Sequence, residues 1–316
     1  MPRTTVVASA LAAVLALSAC GGGSEDPAPS AAPSSSSAAP TASPSPSTTS
    51  PSARPGTGPD STAPDGPLYV ALGDSLAAGY QPGGAELRDS AYPALAAARL
   101  GRGGDALGVA NLACSGETTG SFLAGGKCEY PESSQMAQAE SLLKARRGDV
   151  RLVTIDLGGN DLLRCAARLS VDAKCAATGL GTIEKNLPTI LSRLRAAAGP
   201  DVPVLVLGYY NPWLASSYLG AGQAQLKVAT KAFSDLSTTI AAAAKGSGGR
   251  FVSLDAAFAL DDDTPTTFSG RSVPKNVAQV CSLTYICTAF DIHLTDEGAA
   301  VVGRVLADAA TKAGVR

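Results

Sequence analysis

The chain has 316 residues, of which 16% are charged, and its formal net charge at pH 7 is −2. With no excess of positive charge, the sequence argues against nucleic acid and anionic lipid as partners. A short apolar leader and a polar segment precede about 250 residues with globular patterning, a length that suits one α/β domain with a sizeable core.

The first 20 residues have the organisation of a secretory signal: Arg3, an apolar run over residues 6–17 and then small residues. The run is shorter than the roughly 20 residues that span a bilayer. Its end, Leu-Ser-Ala-Cys at residues 17–20, resembles the bacterial lipobox, in which the cysteine is lipidated. We therefore predict a signal peptide over residues 1–20 and a lipid anchor on Cys20. The alternative is an ordinary signal with an incidental cysteine.

Residues 21–67 are rich in Pro, Ser, Thr and Ala and contain almost no large apolar side chain. Such a segment cannot bury enough surface to offset its conformational entropy. We predict a disordered tether over 21–67 and a folded domain over 68–316, exported and held at the outer face of the cell membrane, or secreted.

Short apolar runs bounded by Gly, Pro or charge predict five strands. They cover residues 68–72, 108–113, 152–157, 202–207 and 251–254. Apolar residues three and four apart predict helices over 182–198, with Pro188 near the start, and over 223–244; a last helix follows Thr295, a good N-cap. Strands that alternate with helices predict a parallel sheet covered on both faces.

Six cysteines remain once Cys20 is set aside, and in an exported protein an even number indicates disulfides. They fall into three couples that are close in sequence, and local pairing is the simplest choice. The predicted pairs are Cys114 with Cys128, Cys165 with Cys175, and Cys281 with Cys287. Metal ligation is disfavoured because no couple is C-x-x-C and the chain has one His. We predict no metal and no cofactor.

Polar and glycine-rich stretches come after the first three predicted strands, and ligands gather beyond the carboxyl ends of parallel strands. The stretches are Gly-Asp-Ser at 73–75, Cys-Ser-Gly-Glu-Thr-Thr at 114–119 and Gly-Gly-Asn-Asp at 158–161. The single histidine, His293, lies just ahead of the last helix with Asp291 two residues before it. If the chain uses imidazole chemistry, His293 performs it.

These blocks, in this order, resemble the GDSL, or SGNH, hydrolase family, and the local cysteine couples resemble those of its secreted actinobacterial members. The resemblance implies a three-layer α/β/α flavodoxin-like fold and hydrolysis of carboxylic esters. It implies Ser75 as the nucleophile and His293 as its base. It also implies an oxyanion hole built from the N–H groups of Ser75 and Gly116 and the side-chain amide of Asn160.

The last block departs from the family pattern, which is Asp-x-x-His, because Asp291 lies only two positions before His293 and residue 290 is Phe. We favour Asp291 as the group that orients the imidazole, and a backbone carbonyl is the alternative. Ser75 has its own alternative, which is to cap the first helix. The long segment 256–290 suggests a functional loop whose aromatic residues contact an acyl chain or belong to the core.

The leading interpretation is a monomeric serine esterase or lipase that forms an acyl-enzyme on Ser75 and acts on small-molecule or lipid esters. A deacetylase of acylated cell-wall glycans is the runner-up. A lipoprotein that binds a ligand without turnover is the alternative from another class. The G-x-S-x-G elbow of α/β-hydrolases is absent from the sequence.

Overall fold

The computed structural model describes residues 64–103, 106–167 and 170–315. The predicted signal peptide, with Cys20, and most of the predicted tether lie outside the described residues. Pro64 and Gly66, at the end of the predicted tether, pack on the domain, because their carbonyl oxygens accept hydrogen bonds of 2.9 and 3.1 Å from Arg146. No helix in the described part of the chain is long and apolar enough to cross a membrane.

The strands form one five-stranded parallel sheet and two short hairpins. In chain order they are β1 (Leu68–Gly73), β2 (Gly108–Asn111), β3 (Val150–Asp156), β4 (Ala166–Ala167), β5 (Ser170–Val171), β6 (Val204–Leu207), β7 (Arg250–Val252), β8 (Pro265–Phe268) and β9 (Arg271–Pro274). The large sheet has the order β2-β1-β3-β6-β7, and β4 with β5 and β8 with β9 form the hairpins. The predicted five-stranded parallel sheet is confirmed, and each predicted strand end lies within two residues of the observed one.

Ten α-helices lie among the described residues. They are α1 (Ser75–Ala78), α2 (Tyr92–Leu100), α3 (Thr119–Ala124), α4 (Gln135–Ala145), α5 (Gly159–Leu163), α6 (Ala173–Ala198), α7 (Gln223–Gly246), α8 (Lys275–Leu283), α9 (Ile286–Ala289) and α10 (Asp296–Lys312). Thr295 caps α10 as predicted, and its hydroxyl accepts a hydrogen bond from the N–H of Gly298.

Both faces of the sheet are buried, which explains why the strands read as continuous apolar runs. Along β1, Leu68, Val70 and Leu72 point into one core with α3, α4, α6 and α7. Tyr69 and Ala71 point into the other core with α2, α8 and α10. The three-layer α/β/α architecture is therefore confirmed.

Helix α6 corrects one prediction, because it starts at Ala173 and holds Pro188 in its interior instead of near its start. The Asp172 side chain caps it by accepting a hydrogen bond of 2.7 Å from the N–H of Cys175. Its first turns contain few large apolar residues, so they gave no helical pattern. Pro188 has no N–H to donate to the carbonyl of Glu184, so the helix lacks one backbone hydrogen bond at this exposed residue.

The six cysteines pair locally in the structure. The Cα–Cα distances are 6.1 Å for Cys114–Cys128, 5.5 Å for Cys165–Cys175 and 5.2 Å for Cys281–Cys287. All three lie in the usual range for disulfides. Three disulfides in one chain are typical of an exported protein.

The segment 256–290 is mostly regular structure, since it contains β8, β9, α8 and α9. Phe258 is a core residue that stacks on Tyr210 with ring centroids 4.4 Å apart. Phe268 packs edge-on against Tyr218. Phe290 is 74% exposed. The expectation of a long irregular loop is therefore wrong for most of this segment.

Candidate active site

The turn after β1 presents Ser75 at the carboxyl edge of the sheet. Gly73 precedes it with φ of +130°, a conformation that glycine adopts readily. The Asp74 side chain caps α1, because its Oδ1 accepts a hydrogen bond of 3.1 Å from the N–H of Leu76. Ser75 is the first residue inside α1, so the alternative that Ser75 caps this helix is wrong.

The side chain of His293 lies between Ser75 and Asp291. Its Nε2 is 2.9 Å from the Ser75 Oγ, and its Nδ1 is 2.5 Å from Oδ1 of Asp291. This geometry suits the tautomer in which Nδ1–H donates to the carboxylate and Nε2 accepts the Ser75 proton. The structure thus brings together the three residues that the sequence predicted for catalysis.

A tight turn explains how a carboxylate only two residues away reaches the imidazole. The Oδ1 of Asp291 also accepts a hydrogen bond of 2.8 Å from the backbone N–H of His293, so one oxygen binds both the backbone and the ring. The backbone around His293 is held in place by the N–H of Tyr285, which donates to its carbonyl, and by the Tyr210 hydroxyl, which donates to the carbonyl of Ile292. The disulfide Cys281–Cys287 brackets Tyr285.

Burial sets the charge of the imidazole. It lowers the pKa of His293 below its usual value of 6.5, and the neighbouring Asp291 carboxylate opposes this shift without cancelling it. Tyr80 covers one side of the imidazole, with ring centroids 4.3 Å apart. His293 is therefore neutral at pH 7, which is the state that a general base requires.

The three residues predicted for an oxyanion hole lie close together. The Asn160 Nδ2 donates to Oδ2 of Asp74 at 3.2 Å and to the carbonyl of Glu117 at 3.0 Å. Asn160 therefore contacts the residue before Ser75 and the residue after Gly116. Among the described residues, the backbone N–H groups of Ser75 and Gly116 have no acceptor, which leaves both free to donate to a substrate.

Sequence reasoning missed Tyr209, which lies just beyond the end of β6. Its hydroxyl donates to Oδ2 of Asp74 at 2.7 Å, and its ring packs so closely on Gly159 that a Cβ there would lie 2.7 Å from a ring carbon. Tyr209 follows the fourth predicted strand, just as the three polar stretches follow the first three. That position could have identified Tyr209 from the sequence.

Gln135, the first residue of α4, was also missed. Its amide pairs with the backbone of Gly73 in both directions, with distances of 2.7 and 3.0 Å, and its Nε2 also donates to Oε2 of Glu117 at 3.0 Å. It therefore ties the end of β1 to the block that contains Gly116. Asp161 has a structural role, because its carboxylate accepts two hydrogen bonds from Thr119.

Ser75 opens onto two cavities. One is a narrow cavity of about 20 Å³, lined mainly by apolar and aromatic side chains, including Leu163, Tyr209, Pro212, Phe233 and Ile292. The other, of about 10 Å³, lies towards Tyr80 and Leu87. The aromatic residues Phe258, Phe268, Tyr285 and Phe290 line neither cavity.

The chain matches the family model of the GDSL-like lipases and acylhydrolases over residues 71–301, which is more than half of its length. It belongs to this family. The GDSL-like match begins inside β1 and ends inside α10, so it includes every candidate site residue. Like other members, this GDSL-like protein is a hydrolase of carboxylic esters. A search of curated protein sequences finds no match.

Several solved structures are similar to this GDSL-like hydrolase. The extracellular lipase of Streptomyces rimosus has 22% sequence identity and a TM-score of 0.49, and the match covers 77% of this chain and 98% of the lipase. Phospholipase A1 of Streptomyces albidoflavus has 20% identity and a TM-score of 0.46, with 77% and 98% covered. Est24, a carbohydrate acetylesterase of Sinorhizobium meliloti, has 19% identity and a TM-score of 0.43, with 78% and 99% covered. Family membership rests on the family model and not on these likenesses.

Proposed function

We propose that the protein is a serine esterase that cleaves carboxylic acyl esters through an acyl-enzyme on Ser75. The observation that carries this proposal is the continuous contact from Ser75 Oγ through His293 to Asp291, with distances of 2.9 and 2.5 Å. A binding lipoprotein has no need of an activated serine. A fluorophosphonate probe should therefore label Ser75 covalently in the native protein and fail to label it after denaturation. Absence of labelling would favour the binding lipoprotein.

The proposed reaction uses His293 twice. In acylation, Nε2 takes the proton of Ser75 as Oγ attacks the ester carbonyl, and it then gives that proton to the departing alcohol. In deacylation, a water molecule attacks the acyl carbon while His293 accepts its proton. His293 then returns this proton to the Ser75 Oγ as the bond between Oγ and the acyl carbon breaks and the acid is released. Asp291 stabilises the imidazolium that forms in each half-reaction.

The oxyanion of each tetrahedral intermediate is proposed to bind the N–H groups of Ser75 and Gly116 and the amide of Asn160. The Asn160 Nδ2 then exchanges one of its two hydrogen bonds, to Asp74 or to the Glu117 carbonyl, for one to the oxyanion. Asn160→Ala should lower kcat by about 10²–10³, the usual cost of one oxyanion donor, with little change in KM. Steady-state kinetics on a short-chain ester test this. Asn186→Ala is the control, since Asn186 donates to the Thr119 hydroxyl outside the site. An unchanged kcat in Asn160→Ala would remove Asn160 from the hole.

Activity should rise with pH as His293 loses its proton, because only the neutral imidazole accepts the proton of Ser75. Since burial lowers the pKa of His293, the midpoint of the acidic limb of kcat/KM should lie below pH 6.5. Burial also raises the pKa of Asp74 to about 6, so Asp74 titrates in the same range. Asp291→Asn tells the two apart, because Asp291 raises the pKa of His293. In Asp291→Asn, the midpoint of the acidic limb of kcat/KM should move to lower pH. A midpoint that does not move would mean that this limb reports a group other than His293.

The apolar cavity beside Ser75 is proposed as the binding site of the acyl chain, because apolar and aromatic side chains line it. A series of p-nitrophenyl esters of increasing chain length measures how much of it is used. Leu163→Trp should shorten the preferred chain, because Leu163 lines the cavity, while the hydrolysis of acetyl esters persists. An unchanged chain-length preference would place the acyl group elsewhere.

A second observation favours the deacetylase of glycans as the runner-up. A cleft of about 360 Å³ lies beyond Tyr209 and Phe233, which line both this cleft and the acyl cavity. Helix α7 lines it with hydroxyl groups at i, i+4, i+7 and i+8: Thr230, Ser234, Ser237 and Thr238. Hydroxyl groups beside aromatic rings suit the polar edges and apolar faces of a sugar.

The intrinsic tryptophan fluorescence of the protein can report ligand binding in this cleft. The single tryptophan, Trp213, packs on Phe233 with ring centroids 5.0 Å apart. An O-acetylated oligosaccharide added to the Ser75→Ala variant should change the fluorescence of Trp213. Adding Ser237→Phe should abolish that change, and Ser237→Phe alone should leave hydrolysis of p-nitrophenyl acetate intact. No fluorescence change would reject the glycan.

The lipid anchor on Cys20 and the location at the outer face of the cell membrane belong to the same proposal. Their support is the lipobox-like sequence at residues 17–20 and the disulfides of the domain. Cys20→Ala should move the protein from the membrane fraction to the soluble fraction. Continued membrane association would mean that Cys20 is not lipidated.

A further inference from the structure

Asp156, the last residue of β3, is a fully buried carboxyl group that the proposed reaction does not use. Its backbone carbonyl accepts a hydrogen bond of 3.1 Å from the N–H of Asp74, and its Oδ2 accepts one of 3.1 Å from the N–H of Ala77. These two N–H groups lie on either side of Ser75. One residue of the neighbouring strand therefore holds both ends of the nucleophile turn.

The contacts of Asp156 also decide which N–H of α1 stays free. The first N–H groups of a helix have no partner within the helix. In α1, Asp74 accepts from Leu76 and Asp156 accepts from Ala77. The N–H of Ser75 is left without an acceptor among the described residues. The two carboxyl groups thus satisfy the donors that catalysis does not need and leave the one that it does need.

The close approach of Asp156 also requires a glycine at position 73. A Cβ at Gly73 would lie 1.8 Å from Oδ1 of Asp156 and 2.3 Å from its carbonyl oxygen. Any other residue would push Asp156 away from the turn. The glycine before Asp74 is therefore required for the close approach of β3 as well as for its own backbone conformation.

The surroundings of Asp156 favour its neutral form. Burial, and then the neighbouring Asp74, raise its pKa well above the usual range. The other ionisable groups that face it are the buried phenols of Tyr69, Tyr92, Tyr209 and Tyr210, and none of them is a cation. No basic side chain in the described ranges forms an ion pair with it.

From these contacts we propose that Asp156 is a positioning residue that holds the Ser75 turn so that its N–H faces the oxyanion and its Oγ faces His293. Asp156 touches neither substrate nor reacting atoms and acts only through the backbone of residues 74 and 77. The inference rests on the proposed function of Ser75.

Two substitutions separate this role from a general effect on folding. Asp156→Asn keeps an uncharged oxygen that accepts from Ala77, so kcat should stay within about threefold of the native value. Asp156→Leu has a similar volume and no acceptor, so kcat should fall about 10–100-fold with KM unchanged, the usual result of a small misplacement of a reacting group. The rate of fluorophosphonate labelling of Ser75 should fall by the same factor. Asp156→Ala replaces Asp156→Leu if the latter does not fold.

Thr154→Val is the matched control, because Thr154 is equally buried on β3 and its hydroxyl bonds to Tyr69, away from the turn. Its kcat should be unchanged. Native kcat in Asp156→Leu, or a loss in Asp156→Asn as large as in Asp156→Leu, would overturn the positioning role. Failure of the proposed function looks different, since Ser75→Ala would then remain active.

Discussion

Ser75→Ala is expected to abolish ester hydrolysis, with a fall in kcat of about 10⁶, as found when the nucleophile of a serine triad is removed. The expectation follows from geometry, because the Ser75 Oγ is the hydroxyl at hydrogen-bond distance from His293 Nε2. The variant loses one partly shielded hydroxyl and no packing, so its thermal unfolding midpoint should stay close to that of the native protein. Steady-state kinetics and a thermal scan measure the two quantities.

Ser115→Ala is the matched control for that experiment. Ser115 lies beside Gly116, and its buried hydroxyl has no hydrogen-bond partner in the described part of the chain. Its removal should leave kcat and stability unchanged. Full activity in Ser75→Ala would contradict the assignment of Ser75 as the nucleophile. Equal losses of kcat in both variants would indicate a disturbed turn and not a lost nucleophile.

The second large effect is expected for Asp291→Asn, which should lower kcat by about 10⁴, as the same change does in triad proteases. An amide carries no negative charge to stabilise the imidazolium, and its NH₂ group can turn towards Nδ1 and favour the wrong tautomer. The fold should persist, because the amide oxygen still accepts from the N–H of His293. Asp296→Asn changes an exposed carboxylate five residues after Asp291 and should not lower kcat by a comparable factor.

The ratio between Asp291→Asn and His293→Ala decides the mechanism. His293→Ala should be severe in any case, because the chain has no other imidazole. Comparable losses support a triad. A loss within about tenfold for Asp291→Asn, or about 1.4 kcal/mol of barrier, would leave a Ser–His dyad.

The sheet and the position of Ser75 were predictable because they depend on local pattern. The five strands are buried on both faces and read as apolar runs between Gly, Pro and charged residues. The carboxyl edge of a parallel sheet then gathers the residues that come directly after each strand, and these include Ser75, Gly116 and Asn160. Their contacts result from the sheet order, in which β1 lies between β2 and β3.

The supporting residues were not predictable in this way. Asp156 ends an apolar strand, and nothing in its neighbours signals that its carboxyl group turns towards Ala77. Gln135 lies on a helix some 60 residues from Gly73, so their pairing depends on tertiary structure alone. Residues 256–290 lack a long periodic pattern because their helices and strands are short.

The contacts of Arg146 with Pro64 and Gly66 fix where the N-terminal segment joins the domain. That point is the amino end of β1, whereas Ser75 lies beyond its carboxyl end. Six strand residues separate the two, or about 20 Å. In a protein held at a surface by its N-terminus, the segment that leads to the anchor would therefore leave the domain at the end opposite the entrance to the site, and would not obstruct it.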